Sequence, residues 1–152
     1  MSELEDPLFN DLLYKYDICL FNETWRKEES KIALPGLWDF SLIRPKNKKA
    51  GRHSGGITIF CKERVRRGLR IIDASEGFIW VKLDANFFNL TNDLFLCAAY
   101  IPPENTSKSI NLKTDYFQSL TESLMKYSDQ GNILIMGDLN ARVGMENVGE
   151  VF

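Results

Sequence analysis

Five short apolar runs, each bounded by polar residues, glycine or proline, constrain this chain more than any other feature. They are Asp17-Ile-Cys-Leu-Phe21, Ile57-Thr-Ile-Phe-Cys61, Gly77-Phe-Ile-Trp-Val-Lys-Leu83, Leu94-Phe-Leu-Cys-Ala-Ala-Tyr100 and Ile133-Leu-Ile-Met136. Each has the length of a strand, and an unbroken apolar run such as Asp17 to Phe21 is the pattern of a strand buried on both faces. Gly55-Gly56 opens the second run, and Pro102-Pro103 halts the fourth. Helical spacing occurs in two places. Asp6 and Pro7 precede Leu8, Phe9, Leu12, Leu13 and Tyr16, which predicts a short amphipathic helix with an Asp cap and Pro in its first turn. Between Leu112 and Ser128, Tyr116, Phe117, Leu120, Leu124 and Tyr127 predict a second helix, stopped near Gly131. Strands punctuated by helices imply a layered α/β domain with covered sheet faces.

A chain of 152 residues makes about one domain and removes roughly 68–70% of its unfolded surface from water. No repeat, low-complexity tract or linker divides it. No apolar run approaches the roughly 18 residues that span a bilayer, and the start, MSELEDP, is acidic where a secretory signal is basic. The expectation is a soluble intracellular protein, nuclear or cytoplasmic, with no membrane partner. Cys19, Cys61 and Cys97 each lie inside an apolar segment without zinc-site spacing, and read as small buried hydrophobes. The sequons at Asn22, Asn89 and Asn105 carry no weight without a secretory signal.

The net charge of -2 conceals an asymmetry. From Arg44 to Arg70, ten cations face one acid, Glu63, so this segment carries +9 and the remainder -11. Such a strip suits a polyanion, with nucleic-acid phosphates the usual case. It equally suits a solvated β-hairpin whose lysines keep its edge soluble.

Three apolar runs end in polar groups: Leu20-Phe21 leads to Glu23, Cys97-Ala-Ala to Tyr100, and Ile133 to Met136 into Asp138 and Asn140. If these strands are neighbours in one sheet, the groups share a rim, and ligand sites of α/β sheets favour the carboxyl ends of strands. Asp, Asn and Gly after a strand are also ordinary turn formers. A hydrolytic phosphate site has uses for each type. Magnesium is typically held by one or two carboxylates and several waters, a role open to Glu23. A water attacking phosphorus needs a proton acceptor, and the growing oxyanion needs donors. Asp138 suits the first role, while the Asn140 amide and Tyr100 hydroxyl suit the second. Asp138 and Asn140 share a side if the backbone stays extended through Leu139.

Asn22-Glu-Thr-Trp25, Ser54-Gly-Gly-Ile57, Ala98-Ala-Tyr-Ile-Pro-Pro103 and Met136-Gly-Asp-Leu-Asn-Ala-Arg-Val-Gly144, in that order, resemble the endonuclease/exonuclease/phosphatase superfamily. Their wording is similar above all to the endonuclease domain of LINE-type non-LTR retrotransposons. The resemblance implies a four-layer αββα sandwich, two mixed β-sheets face to face with helices outside. It implies Glu23 as the metal-binding glutamate, Tyr100 as the tyrosine on the scissile phosphate, Asp138 as the aspartate that activates water and Asn140 as its phosphate-orienting partner. The cofactor it implies is Mg2+, with Mn2+ as the alternative. The partner is DNA, held through its phosphates by Lys46, Lys48, Lys49, Arg52 and Arg142, and the context is the rest of a retrotransposon polyprotein.

The sequence also departs from that pattern. The family begins with a strand ending in a metal-site asparagine and closes with an Asp-His pair, and neither is matched between Met1 and Phe152. The single histidine, His53, lies in the basic loop and matches no catalytic position. The expectation is therefore one partial domain over 1–152, lacking the first strand and the C-terminal strands. Its turnover is expected to be weak or absent, because donors that act as a unit fail together. The alternative is a non-catalytic remnant that binds nucleic acid or a protein.

Overall fold

A computed structural model describes residues 7–26, 34–44, 55–75, 77–103 and 115–140. In chain order the elements are α1 (Pro7–Lys15), β1 (Ile18–Asn22), β2 (Leu37–Leu42), β3 (Ile57–Lys62), α2 (Glu63–Arg66), β4 (Leu69–Ser75), β5 (Phe78–Leu83), α3 (Ala85–Phe88), β6 (Leu94–Tyr100), α4 (Tyr116–Tyr127) and β7 (Asn132–Asp138). They form two sheets, ordered β1-β3-β2 and β4-β5-β6-β7. Every described pairing is antiparallel except β6 with β7, which run parallel. The predicted helix and strand positions fall on α1, β1, β3, β5, β6, α4 and β7. Asp6, the expected cap of α1, lies outside the described residues.

Side-chain alternation sorts the strands into layers. Ile57, Ile59 and Cys61 of β3 meet Ile79, Val81 and Leu83 of β5 and Leu96, Ala98 and Tyr100 of β6 in the space between the sheets. On the other face of the four-stranded sheet, Phe78, Trp80, Phe95, Cys97 and Ala99 pack against Tyr116, Leu120 and Tyr127 of α4. On the other face of the three-stranded sheet, Phe60 and Leu37 pack with Leu13 of α1. The layers are thus helix, sheet, sheet and helix, two packed sheets with helices outside, as the mixed α/β reading required. The caps follow ordinary chemistry: the Asp115 carboxylate accepts from the Gln118 N–H at 3.0 Å and opens α4.

Two strands escape the apolar pattern. β2, Leu37-Trp-Asp-Phe-Ser-Leu42, alternates, sending Trp38, Phe40 and Leu42 inward and Asp39 and Ser41 outward. Asp39 is nevertheless enclosed, because Arg26 Nη1 donates to its Oδ2 at 2.9 Å. The same nitrogen donates to Ser41 Oγ, which also bonds Thr58 Oγ1 at 2.8 Å. β4 is an edge strand whose Arg70 and Asp73 interrupt its apolar residues. β1 is a strand as expected, but a half-buried one rather than one covered on both faces, and among the described residues it pairs with β3 alone.

The three cysteines are free. Burial pushes the Cys61 thiol up to about 11 and Cys97 up to about 12, so both stay protonated and act as packing residues.

Gly137, whose φ is 134°, stands opposite Ala99 where β7 pairs with β6. A Cβ there would overlap the carbonyl oxygen of Ala99, so glycine alone lets β7 carry its chemistry up beside β6. Gly137→Ala is expected to destabilise the fold by about 2–4 kcal/mol through overpacking and backbone strain. Urea unfolding measures it, and a loss below about 0.5 kcal/mol would count against this close approach.

Candidate functional site

The site lies where β1, β6 and β7 end. β1 finishes at Asn22, whose Nδ2 donates across the sandwich to the Ala99 carbonyl at 3.1 Å. This bond sets the end of one sheet against the end of the other. The chain then turns through Glu23 and Trp25, at φ 54° and 52°, a left-handed conformation that non-glycine residues adopt at a cost. Three anchors hold it. The Trp25 N–H donates to the Gly55 carbonyl at 2.9 Å, the Thr24 N–H reaches the Gly56 carbonyl at 3.4 Å, and Arg26 is bound to Asp39 and Ser41. Asn22-Glu-Thr-Trp25 and the glycine pair Gly55-Gly56, some thirty residues apart in sequence, are thus halves of one support.

Tyr100 points between the sheets because Leu96 and Ala98 do, and its ring is buried, with 2% exposure. Its hydroxyl donates to Glu23 Oε1. Burial raises the Tyr100 pKa most, and the hydrogen bond and negative charge of Glu23 raise it further. The Asp138 carboxylate acts in the same direction, while the Arg44 guanidinium opposes them. The parallel register sets Asp138 level with Tyr100. Three predicted residues, Glu23, Tyr100 and Asp138, are therefore brought together. They converge differently from the expected single rim: Glu23 follows a strand of the three-stranded sheet, and Tyr100 and Asp138 end adjacent strands of the other.

Asn140 is near but turned. The backbone does not stay extended beyond β7, because Asn140 has φ 44° and its N–H donates back to Asp138 Oδ1 at 3.0 Å, a turn closed by an Asp side chain. One amide N–H of Asn140 is committed to the Ile101 carbonyl at 2.8 Å. The period-2 expectation that Asp138 and Asn140 leave side by side is thus corrected. Asn140 pins the chain after β7 to the chain after β6, and its second amide N–H is the one that remains for a ligand.

Arg44 was passed over as a site residue because nothing in the basic strip separated it from its neighbours. Its Nη2 donates to the Tyr100 carbonyl at 2.9 Å, and its guanidinium carbon lies 4.7 Å from the centre of the Tyr100 ring. Lys46, Lys48, Lys49 and Arg52 lie outside the described residues, as does Arg142. The remaining cations of the strip are not beside Tyr100. Lys62, Arg64, Arg66, Arg67 and Arg70 lie at or beyond the opposite end of β3, whose far end at Lys62 is five residues from Ile57, or roughly 17 Å at 3.3 Å per residue. Several are engaged there: Lys62 and Arg64 pair with Asp17 at 3.2 and 2.5 Å, and Arg66 lies 4.1 Å from the Trp38 ring centre. Among the described residues, the cations of the +9 segment do not form one surface.

A family model described as endonuclease/exonuclease/phosphatase family matches residues 8–145. The chain belongs to the endonuclease/exonuclease/phosphatase family. That family consists of metal-dependent phosphodiester hydrolases, and its enzymes commonly use divalent metals. No curated protein was found to match the chain. The layered fold agrees with the family, and no described helix is long and apolar enough to cross a membrane.

The residues present fit a divalent ion. Among the described residues no cluster of three or more His, Cys, Asp or Glu side chains gathers at one point, but a hard cation that keeps most of its waters needs only one or two carboxylates. Glu23 is exposed and would supply one, with Asp138, also exposed, the other carboxylate near Tyr100.

The raised pKa of Tyr100 makes the fold sensitive to alkali. Its folded pKa lies above the unfolded value near 10, so its contribution to stability is full below pH 10 and is lost as pH rises toward the folded pKa. Urea unfolding from pH 8 to pH 11 should therefore show a steeper loss in the wild-type chain than in Tyr100→Phe. Equal slopes would mean that folding does not penalise Tyr100 ionisation.

Proposed function

We propose that the chain is a magnesium-dependent phosphodiesterase that nicks DNA, of the kind carried by LINE-type non-LTR retrotransposon polyproteins. The observation that carries this reading is the meeting of Glu23, Tyr100 and Asp138 at one end of the sandwich, reached from two different sheets. The meeting sets the Glu23 carboxylate on the Tyr100 hydroxyl and the Asp138 carboxylate close enough for its charge to be felt there, a grouping that a purely apolar core has no need of.

Each residue has a task that follows from its atoms. Glu23 would hold the ion, with water completing its shell. Bound there, the ion would offset negative charge on the phosphoryl oxygens. Asp138 accepts a proton from the attacking water as the new O–P bond forms and the opposite P–O bond breaks, and the leaving oxygen takes a proton from solvent. Tyr100 turns its hydroxyl from Glu23 to a phosphoryl oxygen, and the free N–H of Asn140 donates to another. Burial of the Tyr100 ring keeps that hydroxyl protonated, and so a donor, at neutral pH.

The choice of DNA rests on the Asn-Glu-Thr-Trp and Gly-Asp-Leu-Asn-Ala-Arg-Val-Gly wording and on chain connectivity. The segment bearing Lys46, Lys48, Lys49 and Arg52 leaves after Arg44 and returns at Gly55, and both of those residues adjoin Tyr100. Arg142 follows Asn140 by two residues. These cations are assigned to phosphate contacts on DNA.

With protein in excess over supercoiled plasmid, nicking is expected with Mg2+, and with Mn2+ in its place, and not with EDTA. Asp138→Ala should lower the single-turnover rate by at least about 10²-fold, the typical worth of a positioned proton acceptor. Nicking that survives this substitution would overturn the assignment. Salt-sensitive DNA binding without cleavage under either ion would replace the enzyme with a binding remnant.

A further inference from the structure

We infer that Arg44 is a positioning residue of the site: it clamps Tyr100 from both its ring and its backbone and so fixes where the hydroxyl points. This rests on the reading of Tyr100 as the phosphate donor under the proposed function. The observations beneath it are geometric. Arg44 follows β2 of the three-stranded sheet, yet its Nη2 donates to the Tyr100 carbonyl at the end of β6. Its guanidinium carbon lies 4.7 Å from the Tyr100 ring centre and 5.8 Å from that of Tyr116, the first residue of α4. One planar cation therefore bridges a sheet, the facing sheet and the outer helix, which a flexible ammonium does not reproduce.

Gly55 supports the same conclusion independently. Its φ is 75°, and a Cβ there would sit 3.0 Å from both Arg44 Cδ and Tyr100 Cε1. The glycine before β3 thus leaves open the space in which the arginine stem and the tyrosine edge meet. Tyr100 is held on one side by Arg44, on another by the Gly55 backbone, and at its tip by Glu23. With its ring fixed, the hydroxyl's main freedom is rotation of the O–H bond. That rotation is the motion needed to pass its proton from Glu23 to a phosphoryl oxygen without moving the ring. A side chain locked by such neighbours holds a donor within the narrow geometry that transition-state stabilisation demands.

The test uses the full chain labelled with 3-fluorotyrosine, with the Tyr100 fluorine resonance identified by its loss in Tyr100→Phe. Wild type should give one sharp Tyr100 line. Arg44→Met, which keeps the stem but loses the planar cation, should broaden or split that line and shift it, and should shift the Tyr116 line to a lesser degree, while Tyr14, Tyr16 and Tyr127 and the unfolding midpoint stay close to wild type. Arg44→Lys restores the charge without the plane, so the line should remain split. A Tyr100 line that is single and unshifted in either variant overturns the inference, and Arg44→Lys decides it alone if Arg44→Met does not fold. In the nicking assay Arg44→Met should lower the single-turnover rate at saturating protein about 10-fold or more, with the protein concentration that gives half that rate changed less than about 3-fold. If wild type fails to nick, the proposed function falls, but the fluorine readout still decides whether Arg44 holds Tyr100.

Discussion

The contact between Tyr100 and Glu23 is the point on which the candidate chemistry depends, because it joins two sheets that, among the described residues, have no hydrogen-bonded ladder in common. Sheets that pack only through apolar side chains can slide by small amounts at little cost, since dispersion contacts are individually weak and carry little direction. Here sliding is opposed by directional bonds gathered at one end: Asn22 to the Ala99 carbonyl, Tyr100 to Glu23, and Arg44 to the Tyr100 carbonyl. The sandwich is registered at the end where its chemistry lies. The apolar core supplies most of the energy, and these few polar bonds supply the alignment.

Alignment has a cost in backbone strain, and the strain falls at the same end. Glu23, Trp25 and Asn140 hold positive φ without being glycine, and Gly55, Gly56 and Gly137 hold it as glycines. Gly77 belongs with them, since its carbonyl accepts from the Tyr100 N–H at 2.8 Å, and of the nine described positive-φ residues only Gly36 and Asn89 remain outside this group. Turns that serve only to reverse a chain use glycine where they can. A glutamate, a tryptophan and an asparagine kept in left-handed backbone are better explained by where their side chains must go.

Much of this was legible in the sequence, and the misses have physical causes. β3, β5 and β6 announced themselves because both faces of each strand are covered, so nearly every residue is apolar, with Thr58, Lys62 and Lys82 the exceptions. β2 stayed hidden because its outward face is polar and its buried Asp39 is satisfied by Arg26, a partner that local patterning does not reveal. The residue types of the site were also readable, since Glu23, Tyr100 and Asp138 stand directly after apolar runs. Their mode of convergence was not. Three strand ends suggested one sheet, whereas alternation sends Tyr100 into the space between two sheets, where a residue of the facing sheet can meet it. Asn140 misled for a local reason: the rule of two holds while the backbone is extended, and an Asp two residues before it closes a turn instead.

The length of β3 has a consequence for any elongated partner. It puts Arg64, Arg66, Arg67 and Arg70 about 17 Å or more from the Tyr100 end, a distance equal to roughly five base-pair steps at 3.4 Å each. A straight duplex seated across the Tyr100 end would miss these arginines entirely. One that touched both groups would have to lie lengthwise along the flank of the sandwich or curve around it. The far-end cations therefore act as a gauge of trajectory, silent for a crossing path and engaged for a wrapping one.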